Sequence, residues 1–324
     1  MSEVGELCRL SLVIIISLLV ATGCKPPGSN SVEWLDRRPI GVLFLARDTT
    51  GWERNPRGWL NNDRLDVTTI AGRQEFRQWL LAYADRSVQL LHQINAQGMI
   101  VWDLEGEEFP HPNPTYVGNP PMLKRIAPEM DEVADEFFQK FTANALRVGV
   151  LLRPQHLEIK EPGRYEQKEY CFNSTAIYQE LDRKIAYARN RWNCTLFYID
   201  SNFGFWNFGL YDVGIFERLH QKHPDVLLIP EFANPSYFQY CAPYYDPTVK
   251  EKWPGTRIVA WNYYTIYPKA CSAIYTGNAD LAQMHETILS AVRHGSILMT
   301  RGWMDGPEIE EVRRIYAEAM TFQN

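Results

Sequence analysis

The chain is poor in the signatures that mark several large enzyme classes. It contains no GxSxG stretch, which disfavours a serine hydrolase of the α/β type. It lacks GxGxxG and GxxxxGK[ST], which removes the usual dinucleotide and nucleotide phosphate cradles. HExxH is absent, and no two cysteines stand in a CxxC pair, so neither a zincin helix nor a thiolate zinc site is indicated. Basic runs are also missing from a chain of net charge −6, and Lys and Arg would have to cluster to hold a nucleic acid. Nucleic acid is therefore not expected as a partner. What remains is 324 residues, 45% hydrophobic and 22% charged, enough for one large core.

The N-terminus carries the first positive signal. "LSLVIIISLLVATGC", Leu10 to Cys24, is an apolar run of signal-peptide length, short for a bilayer span. Small residues precede the cysteine and "KPPGSNS" follows it. The segment resembles a bacterial lipoprotein signal, which implies a signal peptide over 1–23, lipidation at Cys24 and a Pro/Gly/Ser tether to residue 37. An ordinary signal peptide or an uncleaved anchor is the alternative, and each implies export. An exported chain permits disulfides, and Cys171, Cys194, Cys241 and Cys271 are available. Neighbouring segments favour Cys171–Cys194 and Cys241–Cys271.

From residue 38 on, short apolar runs alternate with longer amphipathic ones, the pattern of a parallel sheet wrapped by helices. The runs cover residues 40–47, 98–105, 146–154, 194–202, 225–232, 237–244, 256–263 and 295–303. Eight strands suit a (β/α)8 TIM barrel in a single domain, 38–324, with a doubly wound open sheet as the alternative. Helices are expected at 75–95, 130–146, 174–192, 213–223, 280–294 and 307–320. Between strands five and seven the chain is too short for long helices, so the barrel should be irregular there. Long inserts follow the first three strands, on the face where barrel active sites lie.

Aligned by their apolar cores, the strands deliver polar groups to one rim: Arg47, Asp48, Asp103, Glu105, Arg153, Gln155, Asp200, Asn202, Glu231, Asn234, Tyr244, Asp246, Asn262, Tyr263, Arg301, Trp303 and Asp305. Asp200 in "LFYIDSNFGF" and Glu231 in "LLIPEFANP" stand out because they end otherwise apolar strands. Adjacent strands lie about 4.8 Å apart. At matching heights the two carboxylates could approach the roughly 5–5.5 Å of a retaining glycosidase. Asp200 is then the nucleophile, and Glu231, its pKa raised by burial and by its neighbour, the acid/base.

The acidic stretch "WDLEGEEFPHP" places Asp103 and Glu105 at the same cleft as acceptors for sugar hydroxyls, with Glu107 and Glu108 turned to solvent. Ca²⁺ bound by this cluster is the alternative, although its spacing does not match an EF-hand loop. No other cofactor or resident metal is indicated. Further substrate contacts are expected from Arg153, Asn202, Trp206, Asp246, Asn262, Arg301, Trp303 and Asp305. Aromatic residues next to strand ends, Trp102, Phe203, Tyr244 and Trp261 among them, could present flat faces to a pyranose or fill the core.

"FYIDSN" after strand four and "IPEF" after strand five, among aromatic-rich loops, resemble the (β/α)8 glycoside hydrolase superfamily and its alpha-amylase-like arrangement in particular. The resemblance implies cleavage of a glycosidic bond in an oligo- or polysaccharide by a monomeric enzyme. Strand seven ends in "AWNYY" where that arrangement has an Asp, which leaves Asp246 or Asp305 for a third carboxylate. A clan with its acid after strand six would promote Asp246 over Glu231. A carbohydrate-binding lipoprotein that keeps the cleft without turnover is the rival, because function lives in the site and not in the fold.

Overall fold

The computed structural model describes residues 36–46, 52–106, 116–161, 164–171, 173–204, 209–246, 260–263, 265–267, 270–275, 280–302, 304 and 306–321. The lipoprotein signal, Cys24 and the tether up to residue 35 lie outside them, as do Arg47, Asp48, Glu107, Glu108, Trp206, Trp303 and Asp305.

Eight parallel strands form one sheet: β1 (Ile40–Leu43), β2 (Gly98–Val101), β3 (Arg147–Leu152), β4 (Leu196–Ile199), β5 (Leu227–Pro230), β6 (Tyr244–Tyr245), β7 (Ala273–Tyr275) and β8 (Ile297–Arg301). Their order, β6-β7-β8-β1-β2-β3-β4-β5, brings the ends of the sheet round to each other. Between β5 and β6 no ladder forms among the described residues. There the Ala242 N–H donates to the Leu228 carbonyl at 2.9 Å. The sheet is a nearly closed barrel and not an open doubly wound one.

Among the described residues six long helices wrap it: α1 (Ile70–Gln93), α2 (Pro128–Thr142), α3 (Ser174–Trp192), α4 (Val213–Lys222), α5 (His285–Arg293) and α6 (Gly306–Thr321), with a single helical turn at Leu123–Ile126. Local chemistry sets their starts. Side chains of Thr69, Asn173 and Asp212 accept main-chain N–H bonds as N-caps of α1, α3 and α4, and α2 begins on Pro128. Among the described residues between β5 and β7 the helical segments are 3-10 turns, Pro235–Gln239 and Ala260–Tyr263. The irregular quarter is real.

Period-two alternation divides the core. Ile40, Val42, Ile100, Leu151, Leu196, Tyr198, Leu227, Ile229, Ala273, Ile297 and Met299 fill the barrel interior. Leu43, Val101, Leu152, Phe197, Ile199, Leu228, Ile274 and Leu298 face the helices.

Two expectations need correction. The run at 256–263 is not strand seven: its described residues, 260–263, wind a 3-10 turn in which Asn262 is exposed, and Ala273–Tyr275 takes the strand's place. Asn262 therefore does not end a strand. Nor are the disulfides formed, since Cys171, Cys194, Cys241 and Cys271 are all free. Cys171 and Cys194 flank opposite ends of the 19-residue α3, a helix roughly 28 Å long, whereas bridged Cα atoms lie within roughly 7 Å. Cys241 packs in the outer core and Cys271 inside the barrel, on opposite sides of the sheet.

Candidate active site

The inward parity of each strand continues one pleat past the core, and that step builds the site. Beyond Ile100 stands Trp102, beyond Leu151 Arg153, beyond Tyr198 Asp200, beyond Ile229 Glu231 and beyond Met299 Arg301. Tyr244, Asp246 and Tyr275 take the same positions on the irregular side. Pairing sets their heights: Leu152 is opposite Ile199, and Ile199 opposite Pro230. One residue on, Arg153, Asp200 and Glu231 form a row.

Asp200 and Glu231 share a side-chain hydrogen bond. Burial first, and then the Asp200 carboxyl, push Glu231 well above the ordinary carboxylate range. Glu231 thus holds a proton that it donates to Asp200, while its Oε2 accepts the Ser201 N–H at 2.8 Å. Arg153 Nε lies 3.5 Å from Asp200 Oδ2, with both side chains nearly enclosed. Hydrogen-bonded carboxyls stand closer than the roughly 5–5.5 Å of a retaining pair.

Ser201 holds the turn after Asp200 at φ 55°, a left-handed conformation that costs a non-glycine residue about 1–3 kcal/mol. Three contacts secure it. Besides the Glu231 bond, its Oγ meets Arg153 Nη2 at 3.2 Å, and its carbonyl accepts from Gln155 Nε2 at 3.1 Å. Gly118, at φ 56°, closes on Arg153 from the other side: its carbonyl accepts the Arg153 N–H at 3.0 Å, and a Cβ there would lie 2.5 Å from that nitrogen.

Below the carboxyls lies an aromatic floor. Trp102 and Tyr198 ring centroids are 4.1 Å apart, Trp102 stacks on Tyr275 at 6.1 Å, and Tyr244 meets Tyr198 edge-on at 5.6 Å. Burial drives the Tyr198 hydroxyl far up, with Glu231 the next cause, and Tyr275 up to about 12. At the exit of β6, next to β5, the Tyr244 hydroxyl donates to Asp246 Oδ2 at 3.2 Å. Arg301 pairs with Glu308.

Other expected contacts serve the frame. Asp103 has outward parity: its two oxygens accept the N–H groups of Leu45 and Ala46 at 2.8 Å each, and the side chain is enclosed. Glu105 is enclosed as well, and burial raises its carboxyl to about 7. Both lie beneath the mouth, not on it. Asn202 ties the exits of β4 and β5, accepting from the Phe232 N–H at 2.8 Å and donating to its carbonyl at 3.0 Å. Phe203 packs on Phe232, and Tyr263 on Phe238. Among the described residues no group of three or more His, Cys, Asp or Glu is placed to hold a metal ion.

No protein-family model matches the chain, and no curated protein matches it. Solved structures do. Alpha-N-acetylgalactosaminidase from Bifidobacterium bifidum, in a GalNAc complex, aligns at TM-score 0.51 and 12% identity, over 94% of this chain and 55% of that one. A noncanonic maltogenic alpha-amylase from Thermotoga neapolitana aligns at TM-score 0.51 and 10% identity, over 88% of this chain and 77% of that one. What the chain shares with them is the (β/α)8 barrel. At these identities the likeness shows the barrel alone, and this chain spans about half the length of the galactosaminidase.

Ser201, Gln155 as its partner, and Tyr275 complete the barrel's site beyond the pair that sequence singled out. A polar residue directly after the strand-ending Asp200 is the one signal for Ser201. Tyr275 was hidden by the misplaced strand seven.

Proposed function

We propose that the chain is an exported, lipid-anchored, monomeric glycoside hydrolase that cleaves a glycosidic bond of an oligo- or polysaccharide with Asp200 and Glu231. One observation carries this reading: two carboxyls at one height on adjacent strands of a barrel mouth, one of them keeping its proton, above an aromatic floor. Glycosidases among the structural neighbours support a carbohydrate ligand. Export and anchoring rest on the N-terminal segment.

In this reading Asp200 attacks or stabilises the anomeric carbon, with the Arg153 guanidinium 3.5 Å from it. Glu231 gives its proton to the leaving oxygen and afterwards takes one from water. The substrate must first part the two carboxyls, because their hydrogen bond leaves no room for a sugar ring between them. For the same reason Asp246, beyond the seam between β5 and β6, is the next choice for the acid.

The rival, a carbohydrate-binding lipoprotein without turnover, draws on a different observation. The Arg153–Asp200 ion pair occupies the nucleophile as a structural carboxylate would be occupied. Reducing-sugar release from a panel of polysaccharides and aryl glycosides separates the readings. The enzyme reading expects turnover by the wild type and its loss in Asp200→Asn and Glu231→Gln, with folding intact. Turnover surviving Glu231→Gln but lost in Asp246→Asn moves the acid to Asp246. Binding without turnover on every substrate establishes the rival.

A further inference from the structure

The inner face of α3 is apolar at helical spacing, with Ile177, Leu181, Ile185, Ala188 and Trp192 buried, and a lysine interrupts it. Lys184 is completely enclosed. Burying an ammonium is strongly unfavourable unless it is well partnered, and a methionine would fill the same space. Its partners are specific. Nζ donates to the Arg153 carbonyl at 2.6 Å and the Gln155 carbonyl at 2.9 Å, and it lies 3.2 Å from Glu180 Oε1. Two of three contacts therefore go to the main chain leaving β3, at the two residues whose side chains reach Asp200 and Ser201. Helix side chains lean toward the helix N-terminus, so α3, which starts at this rim, passes the lysine up toward it.

The remaining charged groups facing the ammonium are Arg183 on α3 itself and Glu105 from the segment after β2. Arg183 bonds Glu180 Oε1 at 2.5 Å and Asn119 Oδ1 at 3.3 Å. Glu105 accepts the main-chain N–H of Asn119, and its Oε1 has no hydrogen-bond partner among the described residues. The cluster therefore joins the segments that follow β2 and β3.

We infer that Lys184 is a positioning residue for the carboxyl pair. It clamps the main chain at Arg153 and Gln155, which holds the Arg153 guanidinium against Asp200 and the Gln155 amide on the Ser201 carbonyl. Its importance for turnover rests on the function proposed above; its geometry does not. Methionine at 184 keeps the volume and donates nothing. Without the clamp the Arg153 charge drifts from the pair, and Glu231, which that charge holds down, titrates higher.

The test is a carboxyl-carbon NMR titration of the wild type, Lys184→Met, Arg153→Met and the double variant, each checked for folding by circular dichroism. In Arg153→Met the Glu231 midpoint should rise by about one pH unit. Lys184→Met should reproduce most of that rise, and the double variant should add nothing, because both changes act through one guanidinium. A lysine that is merely structural would lower the melting temperature and leave the midpoint in place, which overturns the inference. Should Lys184→Met fail to fold, the wild type supplies the reading. Burial brings Lys184 down to about 8, so the Arg153 Nε–H signal must move with a midpoint near that pH, and a flat signal there overturns the inference. None of these readings needs turnover. Shifts as expected without activity on any glycoside would sink the proposed reaction and leave the clamp standing.

Discussion

The barrel has two unlike arcs. From β8 through β1 to β5 the strands are four to six residues long, and α1 to α4 and α6 cover the crossings. From β5 to β7 the strands shrink to two and three residues, and among the described residues 3-10 turns stand where helices do elsewhere. The chemistry divides along the same line. Arg153, Asp200 and Glu231 stand in a row on the regular arc, where ladder pairing sets their heights. Asp246, Tyr244 and Tyr275 stand on the irregular one, where loops place them. The carboxyl pair that shares a hydrogen bond sits on strands held by a full ladder, and the other inward polar groups sit on the short strands.

The largest expected effect tests that division directly. Glu231→Gln removes the proton shared with Asp200 and should lower kcat by about 10²–10⁴-fold, whereas Asp246→Asn should cost only about tenfold, the smaller end of a positioning role. Initial rates on any glycoside the wild type cleaves decide it. The reverse order would place the acid on the irregular arc and break the comparison.

Packing comes next. Phe197 on β4 is fully enclosed against the helices, and its replacement by Ala should cost about 3–5 kcal/mol; Ile274→Ala on the three-residue β7 should cost about 2 kcal/mol, because the shorter element can relax into the cavity. Urea unfolding measures both. Equal losses would mean that the irregular arc is packed as firmly as the other.

A pH dependence follows from the floor of the regular arc. The Glu105 carboxyl sits at about 7 in the folded chain against an ordinary 4.5. Between those values the folded state binds more protons than the unfolded one. Its contribution is full below pH 4.5 and falls as the pH rises to 7, by at most about 3 kcal/mol. Glu105→Gln should flatten that part of the slope, read as the difference between urea midpoints at the two pH values. An unchanged slope would show that the buried carboxyl does not titrate in this range.

The smallest effect is at Gly118. Alanine there meets both the positive φ and the Arg153 nitrogen, and should cost about 1–2 kcal/mol in a thermal melt. No cost would mean that the segment after β2 gives way freely, and that Arg153 is held from α3 alone.

The regular arc was largely legible in the sequence because its strands are buried on both sides and read as continuous apolar runs ending in a charge. By that rule Asp200 and Glu231 are expected at the ends of strands four and five, where the structure has them. The irregular arc was not: residues 256–263 are as apolar as a strand, yet Ala260 and Tyr263 pack against Phe238 in a 3-10 turn, while Ala273–Tyr275 is too short to show a period. The expected disulfides do not form because nearness in sequence is not nearness in space: a whole helix lies between Cys171 and Cys194. Asp103 misled by its charge; its parity with Met99 and Val101 marks it as outward-facing. Lys184 was visible as a cation inside an apolar stripe, but its partners are carbonyls, which carry no mark in a sequence.

The seam between β5 and β6 has a mechanical meaning. Asp200 and Glu231 stand on strands joined by a full ladder, so their separation resists any breathing of the wall. Glu231 and Asp246 face each other across the joint that the Ala242–Leu228 bond spans. If the wall yields, it yields there first, widening the gap between those two acids like a slit while the Arg153–Asp200–Glu231 row moves as one piece.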